Sequence, residues 1–112
     1  MSQREGPIRL LHMLDHSREA VAMAAGRTRQ DLETDRMLNL ALIRLLEIVG
    51  EAANRTTNEE KLRCPSIPWA QITGLRNRLI HGYDSVDLDV LWQVICRDLP
   101  RLVSQLEQCL AE

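Results

Sequence analysis

Residues 37–54 read MLNLALIRLLEIVGEAAN, with an apolar side chain at every third or fourth position. This spacing places the apolar groups on one face of an α-helix, which begins at Asp31 or Thr34. Gly50 interrupts the stripe at a cost of about 1 kcal/mol relative to alanine, so we expect a neighbouring helix to approach closely there. The stripe consists of Leu38, Ala41, Leu42, Leu45, Leu46, Ile48, Val49 and Ala52.

The segments on either side carry the same helical spacing. One begins at Gly6-Pro7, where the missing proline N–H costs nothing near a helix start, and Gly26 provides a stop. Residues 55–66 are polar and predict a connection containing at most one short helical turn. Beyond it, residues 66–82 predict a third helix, with serine and proline at its start and glycine at its end.

The C-terminal segment carries two competing patterns. Residues 86–90 alternate in hydropathy as a strand does, but helical spacing continues to Leu110 and the longer pattern favours a helix. Pro100 predicts a kink in that helix, because proline lacks one backbone donor and crowds the preceding turn. Four main helices with short connections predict an all-α, up-and-down bundle, formed by a single domain of residues 1–112. Apolar surface left exposed on so small a bundle favours a homodimer.

Composition supports the helical class and excludes several others. The chain has 18 leucines and no phenylalanine, and leucine keeps more rotamer freedom in a helix than β-branched residues do. No apolar run approaches the ~20 residues of a membrane span, and the N-terminus lacks the apolar centre of a signal peptide. Cys64, Cys96 and Cys109 show no Cys-x-x-Cys spacing, which argues against a disulfide framework or a structural zinc site. We therefore expect a protein of the reducing cytoplasm.

The charge distribution and two residue pairs leave functional questions open. The net charge is −2, but residues 54–83 carry +3 between acidic flanks, which predicts a local positive surface or merely a solvated face. His12 and His16 have the spacing of two metal ligands on one helix face, but no further ligand is apparent nearby, which favours an exposed pair. Trp69 and Trp92 fit core anchors better than base-stacking platforms.

Reactive residue types crowd together in one segment, residues 74–83, which reads GLRNRLIHGY. On an ideal helix Arg76 and His81 lie about 7.5 Å apart along the axis and about 140° apart around it. They therefore share a site only if the helix ends or distorts near His81, or if a second copy of the segment contributes across a two-fold axis. Asn77 and His81, four residues apart, share one face.

The chemistry of these residues suits RNA cleavage. In the last turn of a helix, His81 would titrate near neutrality and serve as general base or acid. The planar guanidinium of Arg76 suits phosphate oxygens and would stabilise the charge that grows on the phosphorane. Residue types alone favour a structural role, in which the histidine caps helix carbonyls and the arginines lie on a solvated face.

A family resemblance changes that balance. Residues 76–81, RNRLIH, resemble the Arg-x4–6-His motif of HEPN-domain ribonucleases, including the polar residue directly after the arginine. Gly82-Tyr83 extends it to the Arg-x4-His-x-Tyr form of the HepT toxins of HepT–MntA toxin–antitoxin pairs. The similarity covers roughly residues 8–110. It includes EIVGEA at 47–52, IPW at 67–69, GLRN at 74–77, LW at 91–92 and DLP at 98–100.

The resemblance implies a HEPN-like homodimer whose two motif copies line a cleft, and an endoribonuclease that needs no metal or other cofactor. Arg76 and His81 correspond to the catalytic pair and Asn77 to the polar supporting position, with Arg78 beside it as a further RNA-binding candidate. Tyr83 corresponds to the tyrosine that the partner nucleotidyltransferase, MntA, modifies with AMP to silence the toxin. Added bulk and negative charge two residues from His81 would repel an RNA phosphate.

Two other functions remain open at this point. The chain could be a non-catalytic helical module that binds and assists a nucleotidyltransferase, with the motif as a docking surface. It could also be a dimerisation bundle without a ligand. The presence of arginine, histidine and tyrosine together favours the ribonuclease toxin, since docking alone would not require all three residue types.

Overall fold

A computed structural model describes the backbone of residues 2–80 and 85–111 and the side chains of residues 8–80 and 85–111. The first helix, α1, spans Ser2–Ala24. It begins before the predicted start at Gly6-Pro7, since a proline so near a helix end removes only one hydrogen bond. Gly26 ends the segment as predicted and has a φ of +76°, in the left-handed region that glycine adopts without strain.

The predicted central helix is present but has a short helix in front of it. Helix α2 spans Asp31–Thr34 and α3 spans Arg36–Arg55. Between them, Asp35 accepts a hydrogen bond from the Leu38 backbone N–H at 3.1 Å, which lowers the pKa of its carboxyl. Because this side chain satisfies a free N–H of the first turn, α3 begins after Asp35 rather than at Asp31 or Thr34.

The predicted third helix is divided into two short helices. The polar connection contains α4, Asn58–Arg63, and is followed by α5, Trp69–Thr73, and α6, Leu75–Leu79. Gly74 lies at the break, with φ −90° and ψ 4°. A single helix over 66–82 is therefore wrong.

The C-terminal segment is helical from Leu88, so the helical pattern prevails over the alternating one. Helix α7, Leu88–Gln93, continues into a π-helical turn, Val94–Asp98, and then into α8, Leu99–Ala111. In this π-helical turn, which lies just before Pro100, the Leu99 N–H donates to the Val94 carbonyl. The kink expected at Pro100 stays a prediction. Val86, just before α7, forms an isolated antiparallel bridge with Ile80.

The core lies around α1, which packs against both α3 and α8. Gly50 of α3 faces α5, where a side-chain Cβ would lie 3.2 Å from the Ile72 carbonyl oxygen. The close approach predicted from Gly50 is therefore confirmed, and it fixes α5 and the adjoining α6 against α3. Across the described residues the structure is all-helical apart from the single bridge. The helices found there lack the apolar length that a membrane span requires.

The expectation that the cysteines form no disulfide is wrong. Cys64, which follows α4, is bonded to Cys109 near the end of α8, with their Cα atoms 5.8 Å apart. The two residues are 45 positions apart in sequence, and only the packing of α8 beside the 64–68 connection brings them together. Gln105 reinforces this packing by donating to the Ser66 carbonyl at 2.9 Å. Cys96 is free and exposed.

The disulfide predicts a redox-dependent stability. Reduction, or the substitution Cys109→Ser, is expected to lower the free energy of unfolding by about 2–4 kcal/mol, because the bond closes a long loop in the unfolded chain. Urea denaturation with and without dithiothreitol measures this difference. Cys96→Ser is the matched control and should leave the urea midpoint unchanged. Equal midpoints for oxidised and reduced wild-type protein would contradict the bond.

The stability of α6 is expected to depend on its buried leucines. Leu79 is 1% exposed, so Leu79→Ala should lower the free energy of unfolding by about 2–5 kcal/mol through lost burial and the cavity it leaves. Leu62 on α4 is 80% exposed, and Leu62→Ala should change the free energy of unfolding by less than about 0.5 kcal/mol. Chemical denaturation of the two variants tests the comparison, and similar losses would show that α6 is not anchored as the structure has it.

Candidate functional site

Helix α6 carries the arginines of the candidate site on an anchored backbone. Leu75 and Leu79, four residues apart, are both buried and face the core. Their spacing turns the intervening side chains outward, and Arg76, Asn77 and Arg78 are all exposed. The local sequence therefore builds a polar surface on a short helix that apolar burial holds in place.

Arg76 lies on the side of α6 that faces α3. Its Nε atom is 3.8 Å from a carboxylate oxygen of Glu47, and Arg44 approaches the other oxygen of the same carboxylate at 3.8 Å. Both separations exceed hydrogen-bond length, and the Arg76 side chain is 73% exposed. Glu47 thus attracts the guanidinium without occupying its N–H groups, which leaves them available to an anionic ligand.

Arg78 lies on the opposite flank of the same helix. Two helical residues are separated by about 200° of rotation, and Arg78 accordingly approaches Asp98, at the end of the π-helical turn, at 3.7 Å. The structure therefore separates two arginines that are neighbours in the motif. Asn77 is exposed between them.

The proposed catalytic histidine, His81, and the proposed modification site, Tyr83, lie outside the described residues. The structure does define the backbone on both sides of this segment, up to residue 80 and from residue 85. Helix α6 ends at Leu79 and Ile80 is extended, so the prediction that the helix continues to His81 is wrong. The Asp87 N–H donates to the Leu79 carbonyl at 2.8 Å, and with the Ile80–Val86 bridge this brings both ends beside α6. The helix thus ends before His81, which is the first of the two alternatives under which Arg76 and His81 can share a site.

A basic groove between α1 and α3 extends from the same face of α3. Its cavity of about 190 Å³ is lined by Arg9, His12, Arg44 and Arg55, with Glu51 as the one acidic residue among the described lining. Glu51 pairs with Arg55 at 2.6 Å, whereas the Arg9 Nε atom is buried without a hydrogen-bond partner. Sequence reasoning missed this groove, although Arg44 and Arg55 have the helical spacing of one face.

The remaining sequence candidates are the pair of histidines on α1 and the two tryptophans. The Nδ1 atom of His16 lies 2.6 Å from the His12 carbonyl oxygen. No group of three potential metal ligands occurs in residues 8–80 and 85–111. Trp69 is partly buried against the core and its Nε1 atom donates to the Cys64 carbonyl at 3.1 Å. Trp92 is also partly buried against the core, which agrees with the preference for core anchors.

Comparison with known proteins identifies the family. The model of the family "Ribonuclease HepT-like" matches residues 13–109. The relative named "Putative RNase MJ1380", from Methanocaldococcus jannaschii, is 31% identical over 107 residues, which cover 96% of this chain and 98% of the relative. The "Probable ribonuclease HepT" of Thermococcus cleftensis is 36% identical over 99 residues, covering 85% and 90%. No solved structure gives a significant match.

The matched region contains α3, the α5–α6 segment and most of α8. It thus includes both the arginines of α6 and the carboxylate that approaches Arg76. The recognition of a HepT-like HEPN ribonuclease from residues 76–83 and the accompanying segments is confirmed. The chain belongs to the ribonuclease HepT-like family.

Proposed function

We propose that this chain is an endoribonuclease that cleaves RNA without a metal ion, with Arg76 and His81 as its catalytic pair. The observation that carries the proposal is the exposure of the Arg76 side chain and its position beside Glu47. This side chain is largely exposed, and its Nε atom lies 3.8 Å from a carboxylate oxygen of Glu47. Buried leucines hold the helix of Arg76 in place, in a chain of the HepT-like family. An arginine presented in this way suits a phosphodiester, because its planar fork matches two phosphate oxygens.

The proposed reaction uses the 2′-hydroxyl of the RNA as nucleophile. His81 removes the 2′-OH proton, the 2′ oxygen forms a bond to phosphorus, and the bond from phosphorus to the 5′ oxygen breaks. A second acid protonates the leaving 5′ oxygen, so the products are a 2′,3′-cyclic phosphate and a 5′-hydroxyl. Arg76 stabilises the charge on the non-bridging oxygens of the phosphorane. Asn77 and Arg78 are proposed to bind RNA beside this centre.

We propose a homodimer as the active form, in which the second copy's His81 supplies the acid. Support comes from the exposed face of α3. Met37 and Leu40 are 83% and 50% exposed, and they lie at helical spacing on the same stripe as Arg44 and Glu47. Apolar surface of this kind favours association. A two-fold axis close to this stripe would bring two copies of Arg76 toward one cleft, and the basic groove between α1 and α3 would extend the surface available to RNA.

The proposed biological role is that of a toxin restrained by a nucleotidyltransferase of the MntA kind. The Cys64–Cys109 bond removes the argument from the cysteines, so the cytoplasm is proposed as its location because the proposed substrate, RNA, lies there. Adenylylation of Tyr83 would place a phosphate and an adenosine two residues from His81. The added negative charge would oppose the binding of an RNA phosphate to Arg76. This regulation rests on the family resemblance and on the spacing of Tyr83 from the motif.

Incubation of the purified chain with total RNA in the presence of a chelator tests the proposal. We expect fragments that end in a 2′,3′-cyclic phosphate, and arrest of growth when the chain is expressed without its partner. A His81→Ala preparation, purified in parallel, controls for contaminating nucleases. Intact RNA after incubation with wild-type protein of native helix content, at every protein concentration, would refute the enzyme and favour the docking module.

A further inference from the structure

A second concave surface lies beside Arg78, on the flank of α6 that faces away from Arg76. Its cavity of about 220 Å³ is bounded by the 66–68 connection, α5, α6, the π-helical turn and α8. The floor is apolar and consists of core side chains that are each no more than 5% exposed: Ile72, Leu75, Val94 and Leu99. The volume is below the about 300–1,000 Å³ of pockets for drug-sized ligands, so it suits a single planar ring system.

Four of the polar side chains on the rim of this cavity make no hydrogen bond within the described residues, whereas Gln105 donates to the Ser66 carbonyl. Arg78 and Asp98 approach each other only to 3.7 Å, which is too long for a hydrogen bond. Within residues 8–80 and 85–111, neither these two side chains nor Gln71 and Arg101 make a side-chain hydrogen bond, although all four line the cavity. The Asp98 carboxylate is 30% exposed. Asp98 is partly buried, whereas Gln71, Arg78 and Arg101 are exposed at the rim. Donors and acceptors placed around an apolar floor form the usual pattern of a ligand site.

The backbone geometry of the rim is unusual at the position of Asp98. This residue closes the π-helical turn Val94–Asp98, and such turns occur frequently at functional sites. Val94, Asp98, Arg101 and Gln105 follow one another at helical spacing on the face that lines the cavity. This half-polar stripe is the signal by which sequence inspection could have found the site.

The cavity lies close to the catalytic arginine along α6. Arg76 and Arg78 are about 3 Å apart along the helix axis and point to opposite sides of it. A ligand in the cavity would therefore lie beside the helix that presents Arg76 to the scissile phosphate. Single-stranded RNA is commonly read by splaying bases out of the backbone path and into such sites.

We propose that this cavity is a nucleobase subsite for a nucleotide of the RNA a few positions from the scissile phosphodiester, and that it prefers guanine. The proposal rests on the proposed ribonuclease function. The base ring would lie on the apolar floor, with its edges toward Asp98 and the two arginines. Arg78 and Asp98 then act as specificity-determining residues rather than as catalytic ones.

The preference for guanine follows from the donors and acceptors on the rim. A carboxylate binds two adjacent donors best, and guanine presents N1–H and the N2 amino group side by side on its Watson–Crick edge. Guanidinium groups bind two adjacent acceptors, and guanine presents O6 and N7 on its next edge. Adenine and uracil lack both of these pairs, because their donors and acceptors alternate, and cytosine lacks the pair of adjacent donors. Both kinds of rim group are therefore satisfied together by guanine.

Titration of the full chain with the four 5′-mononucleotides, followed by NMR, tests the subsite without any need for cleavage. We expect 5′-GMP to shift the amide signals of Gln71, Asp98 and Arg101 and to bind about tenfold more tightly than 5′-AMP, 5′-CMP or 5′-UMP. Asp98→Asn should abolish the selectivity and Arg101→Ala, an exposed site, should weaken binding without affecting the fold. Arg36→Ala, an exposed arginine at the start of α3, is the matched control and should leave the affinity for 5′-GMP unchanged.

Mapping of cleavage ends on a random-sequence RNA completes the test. The wild-type chain should show guanine enriched at one fixed position relative to the cut, and Asp98→Asn should lose the enrichment while it continues to cleave. Absence of cleavage by wild-type protein would overturn the ribonuclease and leave the nucleotide titration to decide the cavity. Equal binding of the four nucleotides, shifts remote from the cavity, or an unchanged preference in Asp98→Asn would overturn the subsite.

Discussion

His81→Ala is expected to reduce the rate of RNA cleavage by about 10²–10⁴-fold, the range that general acid–base catalysis contributes. In the proposed dimer one histidine removes the 2′-OH proton and the other protonates the leaving oxygen, so the substitution removes both groups at once. The effect belongs at the upper end of that range. Single-turnover cleavage of a defined RNA at saturating enzyme measures the chemical step apart from RNA binding.

Two controls distinguish lost chemistry from lost structure. Circular dichroism and sedimentation should show the same helix content and the same mass for His81→Ala as for the wild type. The affinity for uncleavable 2′-deoxy substrate should also be retained, because the positive charge that binds phosphate comes from arginine. A variant that cleaves at the wild-type rate would exclude His81 as the catalytic base.

Arg76→Ala is expected to lower the rate of the chemical step by about 10²–10³-fold, the usual loss when one donor to a developing oxyanion is removed. The structure leaves the Arg76 N–H groups free for phosphate, since Glu47 lies 3.8 Å away. Arg76→Lys should recover only part of the rate, because lysine supplies a point charge without the planar fork. The same single-turnover measurement checks both variants.

Arg18→Ala is the matched control for Arg76→Ala, because it removes an equal charge from an exposed position on α1 that faces α8. It should leave the rate within about twofold of wild type, as expected of a surface substitution away from the site. Comparable losses in the two variants would mean that Arg76 contributes only general electrostatic attraction.

Much of the helical framework could be predicted from local patterns. The apolar stripe of α3, the stop at Gly26 and the contact at Gly50 depend on residue spacing and on backbone freedom, which the sequence displays directly. The division of the 66–82 segment into α5 and α6 was not predicted, because its apolar residues keep helical spacing across Gly74. Spacing identifies the buried face and does not report whether the backbone hydrogen bonds continue.

The candidate site was predicted only in part for a similar reason. The types and order of residues 76–83 indicated the family and the chemistry of a phosphodiester site. Their directions in space were not visible, and the structure places Arg76 toward Glu47 but Arg78 toward Asp98. Both partners belong to elements distant in the chain, so no local pattern relates them to α6.

By itself, the sequence determined the helical class, the approximate positions of α1, α3 and the C-terminal helical segment, and the membership of a ribonuclease family, since each follows from residue type and short-range spacing. Tertiary structure alone decided the Cys64–Cys109 bond, the carboxylates that the two arginines approach and the cavity beside Asp98. Each of these depends on how α3, α8 and the π-helical turn pack against the 64–79 segment. Such contacts arise from the burial of many apolar side chains at once, and burial is non-directional and set by the whole core.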